Sequence, residues 1–440
     1  MKKPVLVIAL AAVLSLPARA QWVNQPVSLP APTTFNFIIS AVDANVAWTT
    51  VLDLDTGAGP LFSRTVNGGT TWTVGQIPAL PPDFELTSIH ALDASTAWVT
   101  VIDPDGGGQV LKTTNGGAAW TLQTTATQFA DPNSYPAIIR FFTANDGVVI
   151  GDRDNTGKFE IYTTINGGST WTRVPVASLP GVAPNEFVYN TAVFQLGNTI
   201  WFGTASNRVW RSTDRGLTWT VSGTPLQSME AIAFVDAQNG LALDDAGLLA
   251  RSTNGGTTWT SVAPSGPLHS IGLDAIPGTQ TFVSTGFDGS FNGSGSSIST
   301  DLGQTWTALE STRDHALVDF VSPTVGWSGG VSLSTGGDIL GNGMYKYTGR
   351  SLSTAGRAAL AAGLEVFPNP STDGVFTLRM RTGAATGDAI LLDALGREVF
   401  RQTVSGAGPT VLDLSRQPAG VYMLRLPTSL GMARQQLVIR

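Results

Sequence analysis

A short motif that recurs six times constrains the fold of this 440-residue chain more than any other feature. Each copy runs from a Thr or Ser to a Trp, as in Thr65-Val66-Asn67-Gly68-Gly69-Thr70-Thr71-Trp72. The paired Asn/Asp and Trp positions are Asn67 and Trp72, Asn115 and Trp120, Asn166 and Trp171, Asp214 and Trp219, Asn254 and Trp259, and Asp301 and Trp306. Successive tryptophans lie 48, 51, 48, 40 and 47 residues apart, close to the length of a four-stranded propeller blade. The period therefore predicts a β-propeller.

A second marker, the start of each second strand, predicts seven blades instead of six. It occurs at Trp48, Trp98, Val148, Trp201, Leu241, Phe282 and Trp327. Trp22 is the candidate for the missing seventh tryptophan, so we expect the N-terminal segment to pair with Met344–Tyr347 as the outermost strand of the last blade. This closure would protect the sheet edges. The alternative is six blades with a separate N-terminal strand.

The recurring motif has the chemistry of a tight turn between the third and fourth strands of a blade, and we call it the turn box. Asn and Asp bond to nearby backbone, and Gly accepts a positive φ. The box resembles the Asp-box (BNR repeat) of sialidase-like propellers. The whole unit, over residues 21–348, resembles the repeats of the photosystem II assembly factor Ycf48 family. The resemblance implies that the boxes are structural and lie on the face away from a ligand.

The composition favours an all-β class and excludes several kinds of site. The 50 Gly and 25 Pro punctuate short elements rich in Thr, Val and Trp, and no stretch has a sustained helical pattern. The chain has no Cys, which excludes disulfides and thiol chemistry. Residues 21–349 carry 12 Lys and Arg against 26 Asp and Glu, a net charge of −14. We therefore expect no nucleic-acid partner, and we expect a monomer.

The N-terminus has the order of a secretory signal peptide. Lys2 and Lys3 precede an apolar run from Val5 to Leu16, and Ala18-Arg19-Ala20 follows. The run is too short to span a membrane, and no other segment is a candidate span. We expect residues 1–20 to be removed, and no transmembrane segment in the mature chain.

The C-terminal region has a different character from the repeats. Residues 349–362 are rich in Ala, Gly and Ser and predict a linker. Residues 363–440 contain short alternating strands and predict a small Ig-like β-sandwich. Their motif residues are Pro368, Asn369, Pro370, Gly396, Gly420 and Tyr422.

In this order the tail motifs resemble the type A C-terminal sorting domain of the type IX secretion system. The resemblance implies export through the periplasm of a Gram-negative cell to its surface or to the medium. It also implies that the secretion machinery is a partner of residues 363–440. An ordinary adhesive sandwich is the alternative.

One position of the innermost strands brings candidate catalytic residues to the central channel. Its occupants are Ser40, His90, Arg140, Val193, Ala233, Asp274 and Asp319. Asp274 and Asp319 belong to adjacent blades, and a carboxylate pair at the propeller mouth suits a glycoside hydrolase. The alternative is that both carboxylates pair with charges of a neighbouring blade.

The loops between second and third strands are acidic. Asp152 and Asp154, in Asp152-x-Asp154-x-Thr156-Gly157, match the start of a calcium loop, although Thr163 stands where the closing Glu belongs. We identify them as candidate Ca²⁺ ligands and expect no other cofactor. Solvated turn carboxylates are the alternative.

Candidate ligand-binding residues combine aromatic, His and Arg side chains in the channel and in the segments that lead into the innermost strands. They are Phe35, Phe84, His90, Tyr135, Arg140, Phe187, Tyr189, His269, Arg313 and His315. Aromatic rings beside carboxylates suit carbohydrate or peptide ligands, but each ring could instead fill the space between blades. The sequence favours an exported binding or scaffold module, with a glycoside hydrolase as the alternative.

Overall fold

The computed structural model describes residues 21–440, apart from 54–58, 79, 288–292, 334–338, 350–363, 381–384, 394–396, 407 and 429–430. The chain divides into two compact units. The larger unit spans Ala20–Gly349, and the smaller contains the described residues from Leu364 to Arg440. The predicted signal peptide and residues 350–362 of the predicted linker lie outside the described residues.

The larger unit consists of seven four-stranded antiparallel sheets. Strand β1 is Trp22–Gln25. Blade 1 is β2 (Thr34–Ala41), β3 (Ala47–Asp53), β4 (Leu61–Thr65) and β5 (Thr73–Gln76); blade 2 is β6 (Glu85–Ala91), β7 (Ala97–Ile102), β8 (Gly108–Thr113) and β9 (Thr121–Leu122). Blade 3 is β10 (Pro136–Phe141), β11 (Gly147–Arg153), β12 (Phe159–Thr164) and β13 (Thr172–Arg173), and a 3₁₀ turn follows at Val176–Ser178.

The remaining blades repeat this order. Blade 4 is β14 (Val188–Leu196), β15 (Thr199–Thr204), β16 (Arg208–Ser212) and β17 (Thr220–Gly223); blade 5 is β18 (Ala231–Phe234), β19 (Gly240–Leu243), β20 (Leu249–Ser252) and β21 (Thr260–Val262). Blade 6 is β22 (Gly272–Ala275), β23 (Phe282–Gly286), β24 (Gly295–Ser299) and β25 (Thr307–Glu310); blade 7 is β26 (Asp314–Ser322), β27 (Val325–Leu333), β28 (Ile339–Tyr347) and β1.

The innermost strands of the seven blades form a closed ring. Each packs against the innermost strand of the next blade, from β2 through β6, β10, β14, β18 and β22 to β26, and β26 packs against β2. The strands are rich in buried apolar residues because both sheet faces are covered by neighbouring blades. The prediction of an all-β, seven-bladed propeller is confirmed.

The N-terminal strand completes the last blade. Trp22 pairs with Tyr347, and Gln25 pairs with Met344, on the outer edge of β28. The Trp22 indole is fully buried, and its Nε1 donates a hydrogen bond to Ser296 Oγ of blade 6 at 2.9 Å. The predicted closure is confirmed, and the alternative of a separate N-terminal strand is excluded.

Chain direction gives the propeller two different faces. In blade 1, Phe35 pairs with Leu52 at one end of the sheet, and Ser40 pairs with Trp48 at the other. At the Ser40 end, Gly68 N of the turn box donates to Asn45 O at 2.9 Å. We call the face with the boxes and the turns between first and second strands the box face. The opposite one, with the loops between second and third strands, is the loop face.

Each turn box is held by the same hydrogen bonds. In blade 1, Gly69 N donates to Thr65 Oγ1 at 2.9 Å, and Thr71 N donates to Asn67 Oδ1 at 3.0 Å. Gly68 and Gly69 have φ angles of 71° and 85°, which L side chains rarely adopt. The same two bonds recur in the other five boxes.

The box tryptophans connect adjacent blades. The Trp120 ring of blade 2 lies 5.4 Å from the ring of Phe62 in blade 1. Trp72 of blade 1 lies 5.6 Å from Trp327 of blade 7. Trp22 has no turn box, yet it packs with Ile298 and other residues of blade 6 in the equivalent seam. These contacts make the boxes part of the packing between blades.

The smaller unit has two sheets around one apolar core. One sheet is β29 (Leu364–Phe367), β30 (Val375–Met380) and β33 (Thr410–Asp413), and the other is β32 (Glu398–Gly406), β31 (Ala385–Leu392), β34 (Gly420–Thr428) and β35 (Gly431–Ile439). Phe376, Leu391 and Leu424 are fully buried in this core.

The tail motifs lie at turns and strand starts of the smaller unit. Pro368, Asn369 and Pro370 follow β29, and Asn369 Oδ1 accepts a hydrogen bond from Val438 N at 3.0 Å. Gly420 begins β34, and Tyr422 donates its hydroxyl to the Pro418 carbonyl at 2.7 Å. Gly396 lies outside the described residues.

Candidate functional site

The central channel contains a cavity of about 420 Å³. The innermost-strand residues Ser40, His90, Arg140, Asp274 and Asp319 all line it, as their aligned positions predict. The end of β14 at Leu196, Gly197 after it, and residues 277–278 after β22 line it as well. The cavity therefore lies at the box-face end of the channel.

The carboxylates of Asp274 and Asp319 are bound to backbone of the next blade. Asp274 Oδ2 accepts a hydrogen bond from Phe320 N at 2.6 Å, across the seam between blades 6 and 7. Asp319 Oδ2 accepts one from Ala41 N at 2.7 Å, across the seam between blades 7 and 1. Both carboxylates thus join the blade that closes the ring to its neighbours.

The same strand position has the same role in blade 1, where Ser40 Oγ accepts a hydrogen bond from Ala91 N at 2.9 Å. Burying the two carboxylates costs hydration free energy that the neutral Ser40 hydroxyl does not lose. Burial raises the pKa of Asp319 to about 6. Burial, and then the charge of Asp319, raise the pKa of Asp274 well above its ordinary value. Asp274 and Asp319 thus lie on adjacent blades, and each already accepts a backbone hydrogen bond from the next blade.

Arg140 and His90 line the cavity from blades 3 and 2. Arg140 Nη1 donates to Ile139 O at 2.7 Å and to Ser88 Oγ at 3.3 Å. Burial lowers the pKa of Arg140 to about 10, so the side chain stays charged at neutral pH. Burial and the Arg140 charge lower the pKa of His90 to about 3, so its imidazole is neutral.

The aromatic residues predicted to bind ligand lie toward the loop face and differ in exposure. Phe35 is buried with Phe287 and neighbouring apolar residues, and Phe84 is half-buried against blade 2. Tyr135 is half-buried. Phe187 is 46% exposed, and its ring lies 5.3 Å from that of Tyr189. Of these rings, Phe187 is the most exposed, and the half-buried Tyr189 lies beside it.

The basic residues predicted on the loop face are engaged in packing. His315 is fully buried, with Nε2 2.8 Å from Glu310 Oε1 and Nδ1 3.1 Å from Ser328 Oγ. Arg313 is within 3.8 Å of the same glutamate. His269 is 4% exposed and its Nδ1 is 3.0 Å from the Gly293 carbonyl. His315 therefore links blade 7 to blade 6, His269 is bonded within blade 6, and both present little surface to a ligand.

The structure divides the predicted ligand and catalytic residues between two places. His90, Arg140, Asp274 and Asp319 are at the box-face end of the channel. Phe187 and Tyr189 lie at the start of β14, on the loop face. The two groups do not form a single site, because they lie at opposite ends of the innermost strands.

The candidate Ca²⁺ ligands have protein partners. Asp154 forms an ion pair with Arg173 at 2.5 Å and accepts a hydrogen bond from Thr156 N at 2.9 Å. Asp152 Oδ1 accepts a hydrogen bond from Val188 N at 2.7 Å. Burial raises the pKa of Asp152 to about 7. Among the described residues, no group of three or more His, Asp or Glu side chains is placed to hold a metal ion.

Two carboxylates lie beside Tyr189: Asp245, which belongs to the acidic loops that the sequence predicts on this face, and Glu230, which sequence reasoning missed. Glu230 lies just before β18, and Asp245 lies in the loop after β19. Burial, and then their charges, raise the pKa of the Tyr189 hydroxyl. Glu230 lies in a segment that leads into an innermost strand, like the aromatic candidates. It was missed because only aromatic, His and Arg residues were considered in those segments.

The propeller is similar in fold to solved structures of YCF48. YCF48 from Cyanidioschyzon merolae has 16% sequence identity and a TM-score of 0.54, over 74% of this chain and 98% of that chain. A structure of YCF48 bound to D1 peptide has 16% identity and a TM-score of 0.52, over 76% of this chain and 96% of that one. No curated protein matches the chain in sequence. At this identity the likeness establishes the fold alone.

Residues 365–440 match the family described as the secretion system C-terminal sorting domain. Within the part of the chain that the structure describes, no helix has the length and apolar character to cross a membrane. The predicted sorting domain and export are confirmed. The chain is a secreted or cell-surface protein, built from a YCF48-like β-propeller and a type IX secretion sorting domain.

Proposed function

We propose that the propeller is an exported binding module with its ligand site on the loop face. The main support for this proposal is that Asp274 and Asp319 are engaged in contacts between blades. Both carboxylates accept backbone hydrogen bonds from the next blade, so they serve the closure of the ring. On the loop face, Phe187 and Tyr189 present aromatic surface beside carboxylates. Such surfaces suit recognition of a polypeptide or a sugar.

A protein ligand has additional support from a structure of the same fold. YCF48 has been solved bound to the D1 peptide. Blade loops on a rigid ring are a common place for ligand contacts, since loops vary while the ring stays fixed. We propose a polypeptide ligand first and a carbohydrate second.

Glycoside hydrolysis is the second candidate function. Asp274 and Asp319 lie in a cavity of about 420 Å³, and the pKa of Asp274 is raised by burial and by the second carboxylate. Acid/base hydrolysis requires a protonated and an ionised carboxyl group on either side of the glycosidic bond.

The test screens the mature chain against peptide and polysaccharide arrays, and assays release of reducing sugar from each polysaccharide bound. A binding module retains its ligand affinity in Asp274→Asn and loses affinity in Tyr189→Ala. A hydrolase loses turnover in Asp274→Asn while still binding the polysaccharide. Sugar release that depends on Asp274 would refute the binding proposal.

A further inference from the structure

We propose that the seam between blades 4 and 5 on the loop face binds a cationic side chain of a lysine- or arginine-rich polypeptide. This inference rests on the proposed binding function and specifies its ligand class. Three observations support it: the distribution of charge between the two faces, the carboxylates beside Phe187 and Tyr189, and the lack of a basic partner for Glu230 among the described residues.

The net negative charge of the propeller is concentrated on one face. The described box-face half, with the channel residues at that end, has eight acids and seven bases, a net charge of −1. The acids are Asp43, Asp93, Asp146, Asp214, Asp236, Asp274, Asp301 and Asp319, and the bases are Arg64, Lys112, Arg140, Arg211, Arg215, Arg251 and Lys346. The described loop-face half has fifteen acids: Asp53, Asp83, Glu85, Asp103, Asp105, Asp131, Asp152, Asp154, Glu160, Glu186, Glu230, Asp244, Asp245, Glu310 and Asp314. Its five bases are Arg153, Lys158, Arg173, Arg208 and Arg313, which leaves a net charge of −10.

A field of one sign over a whole face attracts partners of the opposite charge and raises their rate of association. The box face, with a net charge of −1, has a far weaker field. The difference in net charge between the two faces therefore favours binding of a cationic partner to the loop face. It disfavours binding of nucleic acid there.

The seam between blades 4 and 5 supplies a specific contact point within this field. Tyr189 packs against the cluster that contains Met229, and Glu230 follows Met229 in the chain. Glu230 N donates to Leu243 O at 2.8 Å, which places its side chain beside the loop containing Asp245. Ser228 Oγ donates to Asp245 Oδ1 at 2.7 Å and holds that carboxylate at the same seam.

Glu230 differs from Glu186 and Glu310 of the loop face, whose carboxylates have basic partners. Glu186 pairs with Arg208, and Glu310 pairs with His315. The described residues provide no hydrogen bond or ion pair to the Glu230 carboxylate. Burial, and then the charge of Asp245, raise its pKa to about 7. A bound cation would relieve this unfavourable placement of two carboxylates.

The aromatic pair completes a site for an ammonium or guanidinium group. Phe187 is 46% exposed and lies edge-on to Tyr189, with ring centroids 5.3 Å apart. A cation over an aromatic face and against a carboxylate gains from both contacts. Because the acidic field extends over all seven blades, a chain with several basic residues gains more than one isolated cation.

The experiment measures binding of a fluorescein-labelled hexa-arginine peptide to the full mature chain by fluorescence anisotropy, near physiological ionic strength. Hexaglutamate and a Gly/Ser peptide are the probe controls, and arginine amide is the competitor. The test variant is Glu230→Gln. The matched control is Asp105→Asn, which removes one charge from the same face in blade 2.

We expect wild type to bind hexa-arginine, and Glu230→Gln to weaken binding about tenfold, which corresponds to about 1.4 kcal/mol. Asp105→Asn is expected to weaken it less than about twofold, since it changes only the general field. Tyr189→Phe, which keeps the ring, should bind like wild type. Thermal melting of Glu230→Gln is expected at or above the wild-type temperature, so its loss of affinity cannot arise from unfolding.

Equal losses in Glu230→Gln and Asp105→Asn would refute the site, because the field alone would then account for binding. Competition by arginine amide at the concentration of the peptide would refute the polypeptide ligand. Failure of hexa-arginine to bind, with a neutral peptide or polysaccharide bound on the loop face, would overturn this inference and leave the proposed function standing. Asp274-dependent sugar release with no loop-face ligand would overturn both.

Discussion

Replacing Trp22 by alanine tests the closure of the ring directly. The indole is fully buried, its Nε1 donates to Ser296 Oγ at 2.9 Å, and its ring lies 5.3 Å from Tyr347 and 4.9 Å from His315. Truncating a buried Trp to Ala costs about 3–5 kcal/mol. The propeller unit, Ala20–Gly349, spans 330 residues, which at roughly 2.1 cal/mol/K per residue gives an unfolding entropy of about 0.7 kcal/mol/K. A loss of about 4 kcal/mol therefore lowers the melting temperature by about 6 °C.

The assay is thermal unfolding of the mature chain followed by calorimetry and by Trp fluorescence. Val23→Ala is the matched control, because Val23 is in the same strand but is 42% exposed, and it should change stability by less than about 0.5 kcal/mol. Trp22→Phe keeps much of the buried apolar area and should recover part of the loss. Melting temperatures for Trp22→Ala and Val23→Ala that agree within about one degree would refute the closing role of this strand.

Three further predictions concern pH, the turn boxes and export. Stability should fall as pH rises from about 4 to about 7, because burial raises the pKa of Asp152 and Glu230 to about 7 and of Asp319 to about 6, so the folded state retains protons that the unfolded chain has released. The lowered pKa values of His90 and His315 act in the opposite direction, but the carboxyl groups are more numerous, since the pKa of Asp274 is raised as well. Melting curves that rise over this range would contradict the prediction. Trp171→Ala should lower the free energy of unfolding by about 3–5 kcal/mol and leave ligand affinity unchanged, since the boxes lie opposite the loop face. Tyr189→Ala should weaken ligand binding instead. The reverse pair of results would overturn the assignment of faces. Deleting residues 363–440 should retain the propeller in the periplasm, and immunoblots showing it outside the cell at normal levels would contradict the sorting role.

The fold could be predicted because its signals are local and repeated. A turn box needs Asn or Asp, Gly and Trp within eight residues, so each copy is visible without knowledge of the rest of the chain. The closure by Trp22 followed from comparing six boxes with seven second-strand starts. Counting repeats thus specified a contact between residues at opposite ends of the propeller sequence.

The candidate site was less predictable because its determinants are not local side-chain patterns. The partners of Asp274 and Asp319 are the backbone N–H groups of Phe320 and Ala41, and every non-proline residue has such a group. Alignment of the innermost strands identified the residues that line the channel. It could not identify the end of the channel at which the cavity lies, because that depends on where each strand ends. The burial of His315 depends on packing against Trp22, which comes from the other end of the chain.

The pairing of β1 with β28 also sets the order in which the propeller can fold. Six blades are built from consecutive strands, so their hairpins can form as soon as the chain is available. Blade 7 must bring Trp22 to Tyr347, and closing a loop of this length costs about 5 kcal/mol of chain entropy. Until that step, the outer edge of β28 is an unpaired strand edge that can pair with another chain. We therefore expect ring closure to come late in folding, and we expect a ring without β1 in place to be more prone to aggregation than the closed one.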